Sequence, residues 1–301
     1  MPTDATAAQP QPTLPPPIIV LGARPATTAM IGAMLGGNAG AFAVPQLNLF
    51  VGDTLQDVIT ATAHQGPTHM HGLLRALAYI YGSEQTIISI GMARRWVMRR
   101  LSRSTSEIFD ELRAQVAPRR LVDKSAFYSQ DPASLARIRA AAPDADFVHV
   151  IEHPLTPGAV TEPAAQRSRR RRARTNPPQD QNQWLEAHRL ISAAMKSVGP
   201  ERLIVLRAES LVADPYAELS ALCARLHLPE DTINVANMLH PENSPFAGFG
   251  PVGANMGDHP AFLRDPTFPP KGTSGQPFAS RPRDEAMPPE VARLAAQYGY
   301  D

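Results

Sequence analysis

The sequence predicts an α/β fold, a parallel sheet flanked by helices, and three observations predict it. Short apolar runs alternate with segments of helical period. Each run is almost continuously apolar, as a strand covered on both faces requires. With 301 residues, 43% of them hydrophobic, and no internal repeat, the chain can bury one large core.

The elements follow in order. Residues 1–17, rich in Pro, Gln, Ala and Thr, read as a disordered or extended tail, and 18–301 as a single domain. "PIIVLG" is the first strand, and "ATTAMIGAMLGG" is a helix that ends at a glycine pair. Residues 54–116 read as several helices; "HGLLRALAYIYG" and "ARRWVMRRL" place apolar residues three and four apart with arginines between them. "RLVDKS" is a strand, "DPASLARIRAAA" a helix opened by Asp131 and Pro132, and "FVHVIEHP" another strand. A basic, flexible insert is expected at about 163–180. In "NQWLEAHRLISAAMKSVG", Trp184, His188, Ile191, Met195 and Val198 share one face. "RLIVLRAESL" reads as the next strand, "DPYAELSALCARLHLP" as the next helix, and "PPEVARLAAQYGY" as the last.

Composition excludes several classes. A formal net charge of +1 gives no global pull toward nucleic acid or an anionic membrane, and no apolar run is long enough to span one. The first residues lack the basic start and apolar centre of a signal peptide, so the cytoplasm is the expected location. One cysteine, Cys223, leaves no internal disulfide and no Cys-rich zinc site, and its leucine neighbours at helical spacing make it a core residue. His64, His69 and His71 come without acidic or thiol ligands, and no metal is expected.

Ligands of such sheets gather at the carboxyl ends of the strands. The polar groups there are Arg24, Thr27 and Thr28; Lys124 and Ser125; Glu152 and His153; and Glu209. Around them, "GARPATT", "VPQLNLF" (44–50), "HGLLRALAYIYG" (71–82), "RRLVDKSAFY" (119–128), "FVHVIEHP" (147–154) and "SPFAGFGPVGANMGDHPAFLRDP" (244–266) follow one another. In wording and order these segments resemble the bacterial sulfotransferase family, in the branch found with polyketide and peptide biosynthetic enzymes. The resemblance covers nearly the whole ordered chain. It implies a P-loop-like sheet and the donor 3′-phosphoadenosine-5′-phosphosulfate (PAPS). The loop after the first strand would hold the phosphosulfate, with Arg24 as its basic residue, Thr27 and Thr28 as its threonines, and Ser125 as a neighbour.

The chain departs from the family pattern in three segments. Pro25 and Ala26 stand where the loop has Ser-Gly, which removes one N–H donor and one conformationally free residue. Glu152 stands where the family has an arginine for the 3′-phosphate, and Val160, eight residues on, where it has a serine. A like-charge contact near 4 Å costs on the order of 4 kcal/mol at an intermediate dielectric. Gln46 replaces the glutamate of a PELNLF-like stretch and cannot be a general base.

These departures point to a diverged member in which PAPS-dependent transfer is lost or weakened and the cleft is reused for a biosynthetic intermediate. Arg24, Lys124, Glu152 and Gln46 are the expected catalytic set. Glu152 either faces that ligand or pairs with an arginine in the core. PAPS, or its desulfated product PAP, is the cofactor only if the ancestral activity persists. Two alternatives stand beside this one: a genuine PAPS-dependent sulfotransferase, and a noncatalytic scaffold. The substrate is a small molecule or is bound to an acyl carrier protein, which the run Arg167, Arg169, Arg170, Arg171, Arg172 and Arg174 would attract. Without interleaved aromatic residues, that run does not read as a nucleic-acid site.

Overall fold

The computed structural model describes residues 13–63, 66–156, 177–269 and 286–300. Its strands are β1 (Ile18–Gly22), β2 (Ala41–Ala43), β3 (Arg120–Asp123), β4 (Asp146–Ile151) and β5 (Leu203–Arg207). They form one parallel sheet in the order β2-β3-β1-β4-β5. The alternation of side chains along a strand is visible in the core. Ile19, Leu21 and Phe147 enter one apolar layer, while Ile18, Val20, Val148 and Val150 enter the layer on the opposite face.

The helices are α1 (Pro25–Gly36), α2 (Leu55–Ala63), α3 (His71–Gly82), α4 (Ile87–Met98), α5 (Thr105–Val116), α6 (Pro132–Ala141), α7 (Pro177–Met195), α8 (Ala208–Ala213), α9 (Pro215–Arg225), α10 (Thr232–Met238), α11 (Pro260–Arg264) and α12 (Pro289–Gln297). Their starts follow local chemistry. The Asp131 carboxylate accepts from the N–H groups of Ala133 and Ser134 at the head of α6, and Ser104 and Glu107 form a reciprocal capping box on α5. Trp184, His188, Ile191 and Met195 are all buried on one face of α7. Helix α1 is apolar all round, and all but its last residue are buried. Cys223 lies fully buried in α9, its thiol 3.4 Å from the Met238 sulfur.

Three details differ from the sequence expectation. "RLIVLRAESL" is a strand only to Arg207. Strand β4 ends at Ile151, opposite Arg207, so the next residues have no ladder partner and satisfy their backbone in α8 instead. Strand β2 carried no recognisable signal, because its three residues pair with β3 alone at the sheet edge. Helix α7 starts at Pro177, inside the interval expected to be a flexible insert. The tail also closes onto the domain: the carbonyls of Pro15 and Pro16 accept from Arg113 and Arg120. Val160, His64, the arginine run 167–174 and the stretch 270–285 lie outside the described residues. Among those described, no helix is long and apolar enough to cross a membrane.

Candidate functional site

The centre of the sheet sets the position of the site. Strand β1 lies between β3 and β4, so the order of connections reverses at its carboxyl end, the position where sheets of this class place their ligands. Arg24 is the residue before α1, with extended backbone, and Pro25 occupies the first helical turn. Glu152 follows β4 directly. Their side chains meet: Arg24 Nε lies 3.0 Å from Glu152 Oε2, with 4% and 6% of the two side chains exposed. Arg24 Nη2 also reaches the Pro154 carbonyl at 3.5 Å, and the Thr27 hydroxyl hydrogen-bonds to the Glu152 carboxylate.

Burial pushes the Glu152 carboxyl up to about 7, against the opposing effects of Arg24 and Thr27. The carboxylate therefore titrates near neutral pH. Behind it, Trp184 Nε1 donates to the Glu152 carbonyl at 2.9 Å and fixes the backbone. Trp184 packs edge-on against His188, whose Nδ1 is hydrogen-bonded to His149 Nε2 at 2.8 Å. Burial holds both imidazoles far toward the neutral form, His149 down to about 3. A second carboxylate, Glu209, accepts from the His153 N–H at 2.8 Å and from the Tyr300 hydroxyl at 2.6 Å, so the chain's last residues close the β4–β5 end.

Lys124 has different company. Its Nζ lies 2.7 Å from both oxygens of Asp258, with 3% and 1% of the two side chains exposed. The Lys124 stem runs across α1 at Gly32, where a Cβ would lie 2.0 Å from Lys124 Cδ, so only glycine lets the ammonium through. The Phe262 ring lies beneath it. The Ser125 hydroxyl donates to Asp123 and accepts from the Asn48 N–H, each at 2.9 Å, and Tyr128 donates to the other Asp123 oxygen. Thr28 turns back onto the Pro25 carbonyl. Gln46 is anchored by its backbone N–H on the Gly257 carbonyl, and its own carbonyl is pressed against Gly72.

The structure thus joins Arg24, Thr27 and Glu152 in one cluster. Lys124 sits in a second ion pair and Ser125 in a third network. Sequence reasoning missed Asp258, Asp123 and the His149–His188 pair. Asp258 stands in the recognised block "GANMGDHP", but 134 residues separate it from Lys124. His71 Nδ1 accepts from the Met256 N–H, and His69 packs on Phe127. Among the described residues, no three metal-ligating groups converge.

A five-stranded parallel sheet flanked by helices, with a buried arginine just before the first helix, defines an α/β protein of the doubly wound kind. The chain belongs to the sulfotransferase family, whose model matches residues 16–232. Two solved domains share its fold at 22% identity. One is the sulfotransferase domain from the curacin biosynthetic pathway, with a TM-score of 0.71 over 96% of this chain and 99% of that one. The other is the sulfotransferase domain from the Synechococcus PCC 7002 olefin synthase, also at 0.71, over 97% and 98%. No curated protein sequence matches the chain significantly.

The family's donor fits these residues poorly. The cation that the loop would offer to phosphosulfate already faces a buried carboxylate at 3.0 Å. Pro25 has no N–H to contribute at the helix mouth. Bringing a multiply charged anion beside Glu152 requires that carboxyl to be protonated or displaced.

Proposed function

We propose that the chain is a diverged sulfotransferase-family enzyme of a natural-product pathway. In this reading PAPS-dependent sulfuryl transfer is lost or weakened, and the cleft receives a small or carrier-bound intermediate. The single observation that carries the reading is the Arg24–Glu152 ion pair, which neutralises the loop from within. The pathway context is supported by the two solved domains of like fold, each part of a biosynthetic system by its description.

The pair supplies chemistry of its own. Glu152, with a carboxyl near pH 7, is ionised in a large fraction of molecules at neutral pH and can take a proton from a substrate C–H or O–H group. Once Glu152 is protonated, the Arg24 charge becomes available to the anion left on the substrate. Base and anion stabiliser are thereby coupled, as a cyclisation or elimination requires. Thr27 holds the carboxylate, Lys124 and Ser125 fix the neighbouring wall, and Gln46 offers an amide rather than a base.

Calorimetric titration with PAP tests the reading. The unmodified chain is expected to show no binding below millimolar, and Glu152→Gln, which relieves Arg24 of its carboxylate, is expected to gain it. Micromolar binding by the unmodified chain would overturn the proposal and favour a genuine PAPS-dependent sulfotransferase.

A further inference from the structure

Helix α4 buries one side and presents the other. Ser89, Ile90, Ala93 and Val97 face inward. On the opposite arc Ile87, Ile88, Met92 and Met98 are exposed, Ile88 to 75%. Arg95 and Arg99 stand on the same arc, seven and eleven residues after Ile88. Among the described residues neither has an acidic partner, whereas Arg100 and Arg103 share Glu111. The middle of the face is Gly91, which costs the helix stability relative to alanine and has nothing within 4 Å of where a Cβ would sit. No contact among the described residues explains that missing side chain. It leaves room for a second backbone to approach the helix closely.

The face extends onto the loop 249–253, where Phe249 and Val252 are exposed, Val252 to 78%, and Arg94 donates to the Gly253 carbonyl. The same loop runs on to Asp258, the partner of Lys124. Apolar contact area, unbalanced arginines and a flat centre therefore lie together, and they connect through one loop to the Lys124–Asp258 pair.

We propose that this face docks an acidic, amphipathic helix of the protein that carries the substrate. Apolar side chains of that helix would meet Ile88, Met92 and Val252, its carboxylates would meet Arg95 and Arg99, and its backbone would cross at Gly91. That the partner carries substrate rests on the proposed function; its acidity answers the two arginines and its amphipathic form the apolar side chains beside them. A second copy of this chain fits less well, because an isologous contact would bring the same uncompensated arginines together.

The test places the photocrosslinker p-benzoylphenylalanine at position 92 of the full chain, with an acidic holo-acyl carrier protein as the probe. A control carries it at position 216, exposed on α9. Crosslinking to the carrier is expected from position 92 and not from 216. The double variant Arg95→Glu, Arg99→Glu is expected to lower its yield at least tenfold, and Gly91→Leu to lower it severalfold, with thermal unfolding of each variant unchanged or raised. No crosslink to the carrier, equal yields from both positions, insensitivity to these substitutions, or a crosslink between two copies of the chain would each overturn the proposal. Micromolar PAP binding would leave docking intact and overturn the proposed chemistry alone, so the two failures are distinguishable.

Discussion

Two buried ion pairs lie at the carboxyl end of the sheet, and they are built differently. Lys124 offers its ammonium to both oxygens of Asp258 at 2.7 Å and ties the end of β3 to a loop 134 residues away. Arg24 Nε lies 3.0 Å from Glu152 Oε2 and joins the start of α1 to the end of β4. The first arrangement is symmetrical and saturated. The second leaves the carboxyl titrating near 7. Burial raises both carboxyls, Asp258 as well as Glu152, and in each case the paired cation pulls the other way; what differs is the geometry and the part of the chain each pair ties down.

The comparison breaks most visibly at the Lys124–Asp258 pair. Asp258→Ala leaves the Lys124 charge buried without a counter-ion and should destabilise the fold by about 3–5 kcal/mol in urea unfolding. Adding Lys124→Met to that variant should recover much of the loss, since the charge that made it costly is then gone. An unrecovered double variant would mean that the loop packs through Asp258 in some other way.

The Arg24–Glu152 pair is sharpened by pH. A carboxyl that binds its proton more tightly folded than unfolded makes stability fall as pH rises from its ordinary value of 4.5 through about 7. At about 1.4 kcal/mol per pH unit, Glu152 accounts for about 3 kcal/mol of decline across that window. Glu152→Gln should remove that component, read as the difference in stability between the two proteins at pH 5 and pH 8. The buried histidines act in the opposite sense. Their protons are bound less tightly in the folded chain, so their contribution is present above pH 6.5 and is lost on acidification toward 3. Replacing His149 and His188 together by leucine should therefore blunt unfolding in acid.

Two glycines give the smallest effects, of opposite sign. Gly32→Ala drives a methyl group into the Lys124 stem and should cost about 1–3 kcal/mol. Gly91→Ala enters open space and should stabilise the isolated chain by up to about 1 kcal/mol. Equal responses from the two would remove the distinction between a glycine kept for the fold and one kept for a partner.

Much of the fold was legible because its signals are local. Apolar runs marked β1, β3 and β4, Asp131 and Pro132 marked the start of α6, and spacing placed Trp184, His188 and Ile191 on one face of α7. The end of β5 was not legible, since it depends on where β4 stops pairing. The arrangement of the candidate site was legible by half. Arg24 and Glu152 stood out at strand ends, and their pairing was one of two arrangements foreseen for Glu152. Asp258 and the His149–His188 contact were not foreseen, because each joins segments that only the sheet and its covering helices bring together.

The solitary thiol has a practical consequence. Cys223 is fully buried and burial pushes it up to about 11, so it reacts slowly with electrophiles at neutral pH. The chain is thus a ready blank for labelling chemistry. A cysteine introduced at an exposed position would react far ahead of it, and a single spectroscopic reporter could be placed on the α4 face with no native residue to remove first.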